Sequence, residues 1–320
     1  MSAFLDALYF IIPVSIAYAA PLIFVAIGGV FSEKSGVVNI GLEGLMVMGA
    51  FVGIVFNLTF ADQLGGMTIW FALLAAMVVS GIFSLLHAVA SITFRADQVI
   101  SGVAINMLGV ALSIFAVKLI YDKGQTDYIS QQFIRFDIPG LSEIPVIGPM
   151  FFNDVYATSI LAITIAILAW FVIYKTPFGL RLRSVGEHPM AADTMGVKVN
   201  RMRYIAVVIS GMLAGIGGAA YAQTISYEFS QSTINGQGFM ALAAMIFGKW
   251  HPLGAMGAAL FFGLAQSLKI VGGSIDFISQ VPSVYLDILP YVLTILALAG
   301  FIGKASAPKA IGKPYIKGKR

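Results

Sequence analysis

Apolar runs of roughly twenty residues recur along the whole chain, and a helix of about that length crosses the hydrocarbon core of a bilayer. Cut on that length, the pattern predicts spans at 8–31, 37–56, 67–94, 99–121, 155–174, 204–226, 238–248, 253–271 and 284–302. Nine spans, within a range of eight to ten, describe an all-α polytopic membrane protein. The run at 238–248 is too short to cross alone, so it either extends backwards through Ser232 or is a discontinuous helix. The run at 67–94 is long enough to tilt or to include an interfacial piece.

The breaks between the runs set an orientation. Placing Lys34, Arg95, the segment 175–203, Lys249 and the tail 304–320 in the cytoplasm puts 15 of the 19 basic residues there and requires an external N-terminus. The opposite side then holds 121–154, where Asp122, Asp127, Asp137, Glu143 and Asp154 outnumber Lys123 and Arg135. Lys118 and Lys269 lie near outer helix ends, where a long stem can snorkel. Residues 1–303 thus form one transmembrane domain with a cytoplasmic loop at 175–203 and an external loop at 121–154. The latter reads as an ordered connector or as a docking surface with a short interfacial helix. The basic tail 304–320 is assigned no role beyond orientation. The N-terminus MSAFLDALYFIIPV carries Asp6 and no basic region, so its apolar run reads as a retained span rather than a cleaved signal.

Composition agrees: 59% hydrophobic residues, 11% charged and a mean hydropathy of +0.91 lie far from the soluble range. The net charge of +4 is spent on loops and tail, which removes nucleic acid as a partner. The chain has no cysteine, and His87, His188 and His251 form no ligand pair at helical spacing.

Two stretches echo each other. AIGG (26–29) precedes EGLMVMGA (43–50), and GIGG (215–218) precedes QGFMALAA (237–244) with a five-residue offset. Chance in a Gly- and Ala-rich chain is the competing explanation. Read as a repeat, the copies are separated by an odd number of spans and have opposite topology, which puts a substrate route between the halves beside interrupted helices. Asn39, Glu43 and Gly44 in the first copy and Asn235, Gln237 and Phe239 in the second are its candidate lining. Glu43, the one acid well inside a predicted span, either lines the route or caps a half-helix near the interface. Gln98, Ser101 and Asn106 either line the route too or bond neighbouring helices. The spacings Gly49-x-x-x-Gly53 and Gly211-x-x-x-Gly215 read as close helix packing.

Within 175–203, Thr176-Pro177 and Gly179 break the preceding span, and Pro189 opens a short helix through Met195 that Gly196 ends. Ala191-Ala192-x-x-x-Gly196 resembles the EAA-x-x-x-G coupling signature of ATP-binding-cassette importer permeases, with Met190 in place of the Glu. Together with GVVNIGLEGLMVMGAF (36–51), DQVISGVAINMLG (97–109) and GLRLRSVGEHPMAADTMGV (179–197), this closely resembles permeases of the ribose, nucleoside and branched-chain amino acid importer group. The sequence is most similar to the shorter permease subunit of bacterial nucleoside importers. The resemblance implies a multi-pass bacterial plasma-membrane protein with a cytoplasmic C-terminus. It also implies a second, longer permease, a cytoplasmic cassette ATPase carrying ATP and Mg²⁺, and an external substrate-binding lipoprotein. Gly186, Glu187, Pro189, Ala191, Ala192 and Gly196 are the implied ATPase-coupling residues, and Asn39, Glu43 and Gly44 match the family's early motif.

No GxxxxGK[ST] phosphate loop occurs, so this chain has no cofactor of its own and ATP is hydrolysed elsewhere. A secondary transporter coupled through Glu43 and a membrane-embedded enzyme compete less well, because a single intramembrane acid is sparse for an ion route and catalytic groups are missing from the spans. A nucleoside needs amides, hydroxyls and an aromatic face, which Asn39, Asn235, Gln237 and Phe239 supply; a ribose or another simple sugar would be served by the same residue types.

Overall fold

The computed structural model describes residues 2–271 and 307–318, with Val284, Tyr285, Ile288 and Val292 between them. Those residues are helical throughout, apart from turns and two isolated bridges, Gln125 to Ser230 and Phe136 to Val155. In order the helices are α1 (Ser2–Lys34), α2 (Leu42–Leu64), α3 (Thr68–Ala88), α4 (Gln98–Tyr121), α5 (Ile147–Phe151), α6 (Ala157–Lys175), α7 (Pro177–Glu187), α8 (Pro189–Thr194), α9 (Val199–Tyr221), α10 (Gln237–Phe247) and α11 (Pro252–Val271).

Six helical stretches among the described residues are long and apolar enough to cross a membrane, fewer than the nine expected. The difference has three sources. Leu42–Thr93 is one continuous stretch of 52 residues, which would be about 78 Å long if straight, more than twice the hydrocarbon thickness. It folds back at the 3₁₀ turn Gly65–Met67, so α2 and α3 are an antiparallel hairpin and the two expected spans are both there. The run at 238–248 forms α10, whose 11 residues reach only about 16 Å, the discontinuous-helix alternative. The run at 284–302 lies, but for four positions, outside the described residues.

Helices α1 and α9 form the centre, with 78% and 67% of their apolar windows buried, against 22% for α4. They run antiparallel, and α2, α3, α6, α10 and α11 pack around them. The small-residue spacings serve this packing: a Cβ on Gly49 of α2 would run into the backbone of Gly215 on α9.

The chain segments sort to two ends. At one end Arg203 reaches Ser35, Gly312 bonds Gly36, Ala310 bonds Gly186 and Trp250 bonds Glu33. At the other, Thr126 N–H donates to the Phe229 carbonyl at 2.9 Å, Asn57 reaches Gln131 at 2.7 Å and Trp70 meets Phe133 edge-on at 5.2 Å. These are the two sets that charge assigned to opposite sides of the membrane. The loop 121–154 is an ordered layer over the connector between α9 and α10, and contains the expected short helix as α5.

Candidate functional site

The site begins where backbone leaves helical geometry inside the bundle. Gly36 takes φ 90° and α2 starts only at Leu42, so 37–41, expected as part of a span, runs non-helically. Non-helical backbone at membrane depth needs protein partners for its polar groups. Val38 N–H donates to Gln98 Oε1 at 2.7 Å, and the Val38 carbonyl lies 2.9 Å from His87 Nε2. A carbonyl only accepts, so Nε2 carries the proton and Nδ1 of the neutral ring is left to accept the Ser101 hydroxyl at 2.9 Å. Asn106 takes two groups at once: its Nδ2 donates to the Ile40 carbonyl at 3.0 Å and its Oδ1 accepts Gly44 N–H at 2.8 Å. Asn39 Nδ2 donates to Ser210 Oγ on α9 at 2.9 Å. Gln98, Ser101 and Asn106 therefore brace the segment 38–44. His87 and Ser210, passed over in the sequence, complete the brace.

Glu43 occupies the first turn of α2 and faces the start of α10. Gly236, at φ 83°, is the N-cap of α10, and that helix has no capping side chain of its own. Glu43 replaces it: Oε1 accepts Gly236 N–H and Oε2 accepts Gly238 N–H, both at 2.6 Å. Glu43 thus caps the start of α10, a helix nearly two hundred residues further along the chain. A negative group is also favoured there by the partial positive charge of a helix N-terminus. The contact is close, since a Cβ on Gly238 would stand 2.5 Å from Glu43 Cα. Around it, Gln266 of α11 donates to Gln237 Oε1 at 3.0 Å, while Asn235 and Phe239 are exposed. Of the eight candidates, then, Asn39, Glu43, Gly44, Gln98 and Asn106 form one bonded junction, and Asn235, Gln237 and Phe239 sit on its α10 side.

The second part of the site is the end where the basic loop lies. Thr176 caps α7 by accepting Gly179 N–H at 3.2 Å, with Pro177 in the first turn. Gly179, expected as a breaker, is inside α7, and Arg201 and Arg203, expected in the loop, belong to the first turns of α9. The span does end at Thr176; the Thr-Pro pair that stops α6 also starts α7. Helix α8 opens on Pro189 as expected, and Gly196 at φ 82° closes it, with Val197 N–H donating to the Ala192 carbonyl at 3.0 Å. Exposed at the α7–α8 corner are Glu187, His188, Ala191, Thr194 and Met195, the last 84% exposed. Gly186 and Ala192 face inward, and Met190 packs half-buried against the core.

Residues 307–318, expected only to orient the chain, form a strap across this end. Ala310 N–H donates to the Gly186 carbonyl at 2.9 Å and Gly312 N–H to the Gly36 carbonyl at 3.1 Å. Arg203, 1% exposed, donates Nη1 to the Lys313 carbonyl at 3.0 Å and Nε to the Ser35 carbonyl at 3.2 Å. A cavity of about 480 Å³ lies between the strap and the α7–α8 corner, lined by Glu187, His188, Met190, Lys313 and Tyr315. Nearby, the Arg183 guanidinium covers the Tyr174 ring at 4.9 Å, and that ring packs on His251. Burial, and then the Lys34 ammonium, push the His251 pKa below its ordinary value.

Comparison with known proteins fits this arrangement. Residues 12–298 match the family described as branched-chain amino acid transport system / permease component. The chain is 63% identical to the guanosine ABC transporter permease protein NupQ of Bacillus subtilis (strain 168) over 310 residues, 97% of each chain. It is 52% identical to the nucleoside ABC transporter permease protein NupC of Lactococcus lactis subsp. cremoris (strain MG1363), covering 98% of this chain and 99% of that one. A more distant relative, 24% identical over 90% of this chain and 80% of its own, is the guanosine ABC transporter permease protein NupP of Bacillus subtilis (strain 168).

Proposed function

This chain belongs to the permease family of branched-chain amino acid transport systems, and from that membership we propose that it is one membrane half of an ATP-driven importer of nucleosides. The observation that carries the reading is 63% identity to a guanosine permease over 97% of both chains. The other half is a second, longer permease: the relatives include two guanosine permease proteins of one organism, NupQ and NupP, with this chain far closer to the first. A cytoplasmic cassette ATPase holds the ATP and Mg²⁺, and an external lipoprotein delivers the substrate.

The geometry supports an inverted repeat. The copies α1–α2 and α9–α10 run in opposite senses, and the start of α2 meets the start of the short helix α10 at Glu43. Two helices joined start to start, one of them too short to cross, can shift together when one half of the bundle tilts, which is the motion alternating access needs. Asn235, Gln237 and Phe239, on the open side of this junction, face the substrate, and the buried network behind holds them in place. The end carrying α7, α8 and the strap is cytoplasmic. Exposed Ala191 and Met195 touch the ATPase.

Cells expressing this chain with its three partners are expected to take up radiolabelled guanosine in a vanadate-sensitive manner. Other nucleosides should compete and free ribose should not. Competition by ribose would turn the reading to a sugar permease, and uptake by this chain alone under an ion gradient would replace it with a secondary transporter. Ala192→Glu is expected to abolish uptake with membrane insertion intact, because α8 cannot seat a buried charge. Ala191→Glu, on the exposed side, should lower uptake and ATPase retention without changing the melting temperature. Normal uptake by both variants in a fully assembled complex would remove α8 from the coupling path.

A further inference from the structure

A second cavity of about 480 Å³ opens where α6 and α9 leave the bundle, between α7 and the first turns of α9. Arg181, Lys198 and Arg201 supply its charge, and Phe178, Met202 and Ile205 its apolar wall. No carboxylate lines it, and the one ion pair among the described residues, Lys123 with Asp127, lies in the 121–154 loop at the other end of the bundle. Lys175 and Arg183, the neighbouring cations, are taken up by the Trp170 and Tyr174 rings. The three cavity cations thus converge without a negative group to meet them.

The cavity lies at the membrane surface. Helix α6 ends at Lys175 and α9 begins at Val199, so its floor is level with the ends of two apolar spans. Helix α7 buries Leu182 and Val185 while Leu180, beside Arg181, is 61% exposed. Leucine next to arginine on the outer face of a short helix suits the boundary between headgroups and acyl chains. Basic pockets between membrane helices take anionic headgroups, with the cations on the phosphate and apolar side chains along the chain stems.

We infer that this cavity binds the headgroup of an anionic phospholipid, with Arg181, Lys198 and Arg201 on the phosphodiester and Phe178, Met202 and Ile205 against the upper acyl chain. A free anion uses only the three cations of the nine residues that line it, which include Met195, Gly196 and Val197 at the end of α8. Because Lys198 and Arg201 directly follow the turn that closes α8, a lipid seated here holds the α8 corner at a fixed height against the membrane.

The test uses the assembled transporter in nanodiscs of phosphatidylcholine alone or mixed with phosphatidylglycerol. Native mass spectrometry of bound lipid and thermal unfolding are the readouts. The wild-type complex is expected to retain phosphatidylglycerol and to melt higher in the mixed membrane. Arg181→Gln/Arg201→Gln should retain at least about threefold less and lose the shift, and Arg181→Lys/Arg201→Lys should restore most of both. Lys123→Gln, at the far end, should change neither. Equal retention by wild type and the Gln variant would overturn the assignment. So would an equal thermal shift from inorganic phosphate in phosphatidylcholine, which would mark a free-anion site. Loss of the ATPase from the Gln variant in phosphatidylcholine alone would also overturn it, giving the cavity to that partner.

Discussion

Glu43→Ala is expected to abolish guanosine uptake and to lower the melting temperature of the assembled transporter. Its carboxyl oxygens accept Gly236 and Gly238 N–H, the cap donor and one first-turn donor of a helix that begins inside the protein. Gly238 is buried, so its N–H would lose its acceptor with no water to replace it, at about 1–3 kcal/mol; Gly236, half-buried, would recover part of the same loss. The functional loss should exceed the loss in stability, because the variant also unties α10 from α2 and the two helices no longer move together. Glu43→Gln retains one accepting oxygen but sets an NH₂ donor against the other N–H, so it should fall between. Uptake assays on cells and thermal unfolding of the purified complex read the two effects separately. Wild-type uptake by Glu43→Ala from a complex of undiminished melting temperature would sink the assignment of Glu43 as the joint.

Removing residues 307–320 is expected to have the second large effect, and to exceed that of deleting the side chain the strap covers. Truncation takes the Lys313 carbonyl from Arg203, which is 1% exposed with the strap in place, and opens its guanidinium to water with Ser35 still accepting from it. Water takes up the freed guanidinium donors, so what truncation loses is the strap's own hydrogen bonds and packing, whereas replacing a buried charge by an apolar side chain of similar volume is often close to neutral. Arg203→Met should therefore melt near the wild type, while in the truncated chain, where water reaches the guanidinium, Arg203→Met should bring no gain. Any departure from additivity is a coupling between the two sites, which a double-mutant cycle measures directly. The strap also ties Gly186, next to the α7–α8 corner, to Gly36 at the start of the non-helical segment. Truncation should therefore lower uptake per ATP hydrolysed, a ratio that mere loss of protein leaves unchanged. An unaltered ratio would reduce the strap to a packing element.

The candidate site was legible in pieces. The short length of 238–248 marks it as a candidate discontinuous helix and Pro189 with Gly196 bounds α8, whereas the pattern at 37–56 predicts one unbroken span. Each of these is a local signal, carried by residues next to the feature they cause. Asn106 bonding Ile40 and Gly44, Asn39 reaching Ser210 and Arg203 holding Lys313 are pairings across 62 to 171 positions, and no local pattern encodes them. The short helix α7 was missed because the Thr-Pro pair that starts it was taken only as the end of α6.

By itself, the sequence determined that this is an all-helical membrane protein with its basic loops on one side. Lipid supplies no hydrogen bonds, so spans must be long, apolar and internally bonded, and each of these demands is written in consecutive residues. Which buried side chain satisfies each interrupted stretch was decided only in three dimensions. The tertiary structure made Glu43 the cap of α10 rather than a loose intramembrane acid, and made a basic tail into a strap. The physical reason is that a donor left without water bonds to whichever acceptor packing brings within reach, and packing is set by the whole bundle.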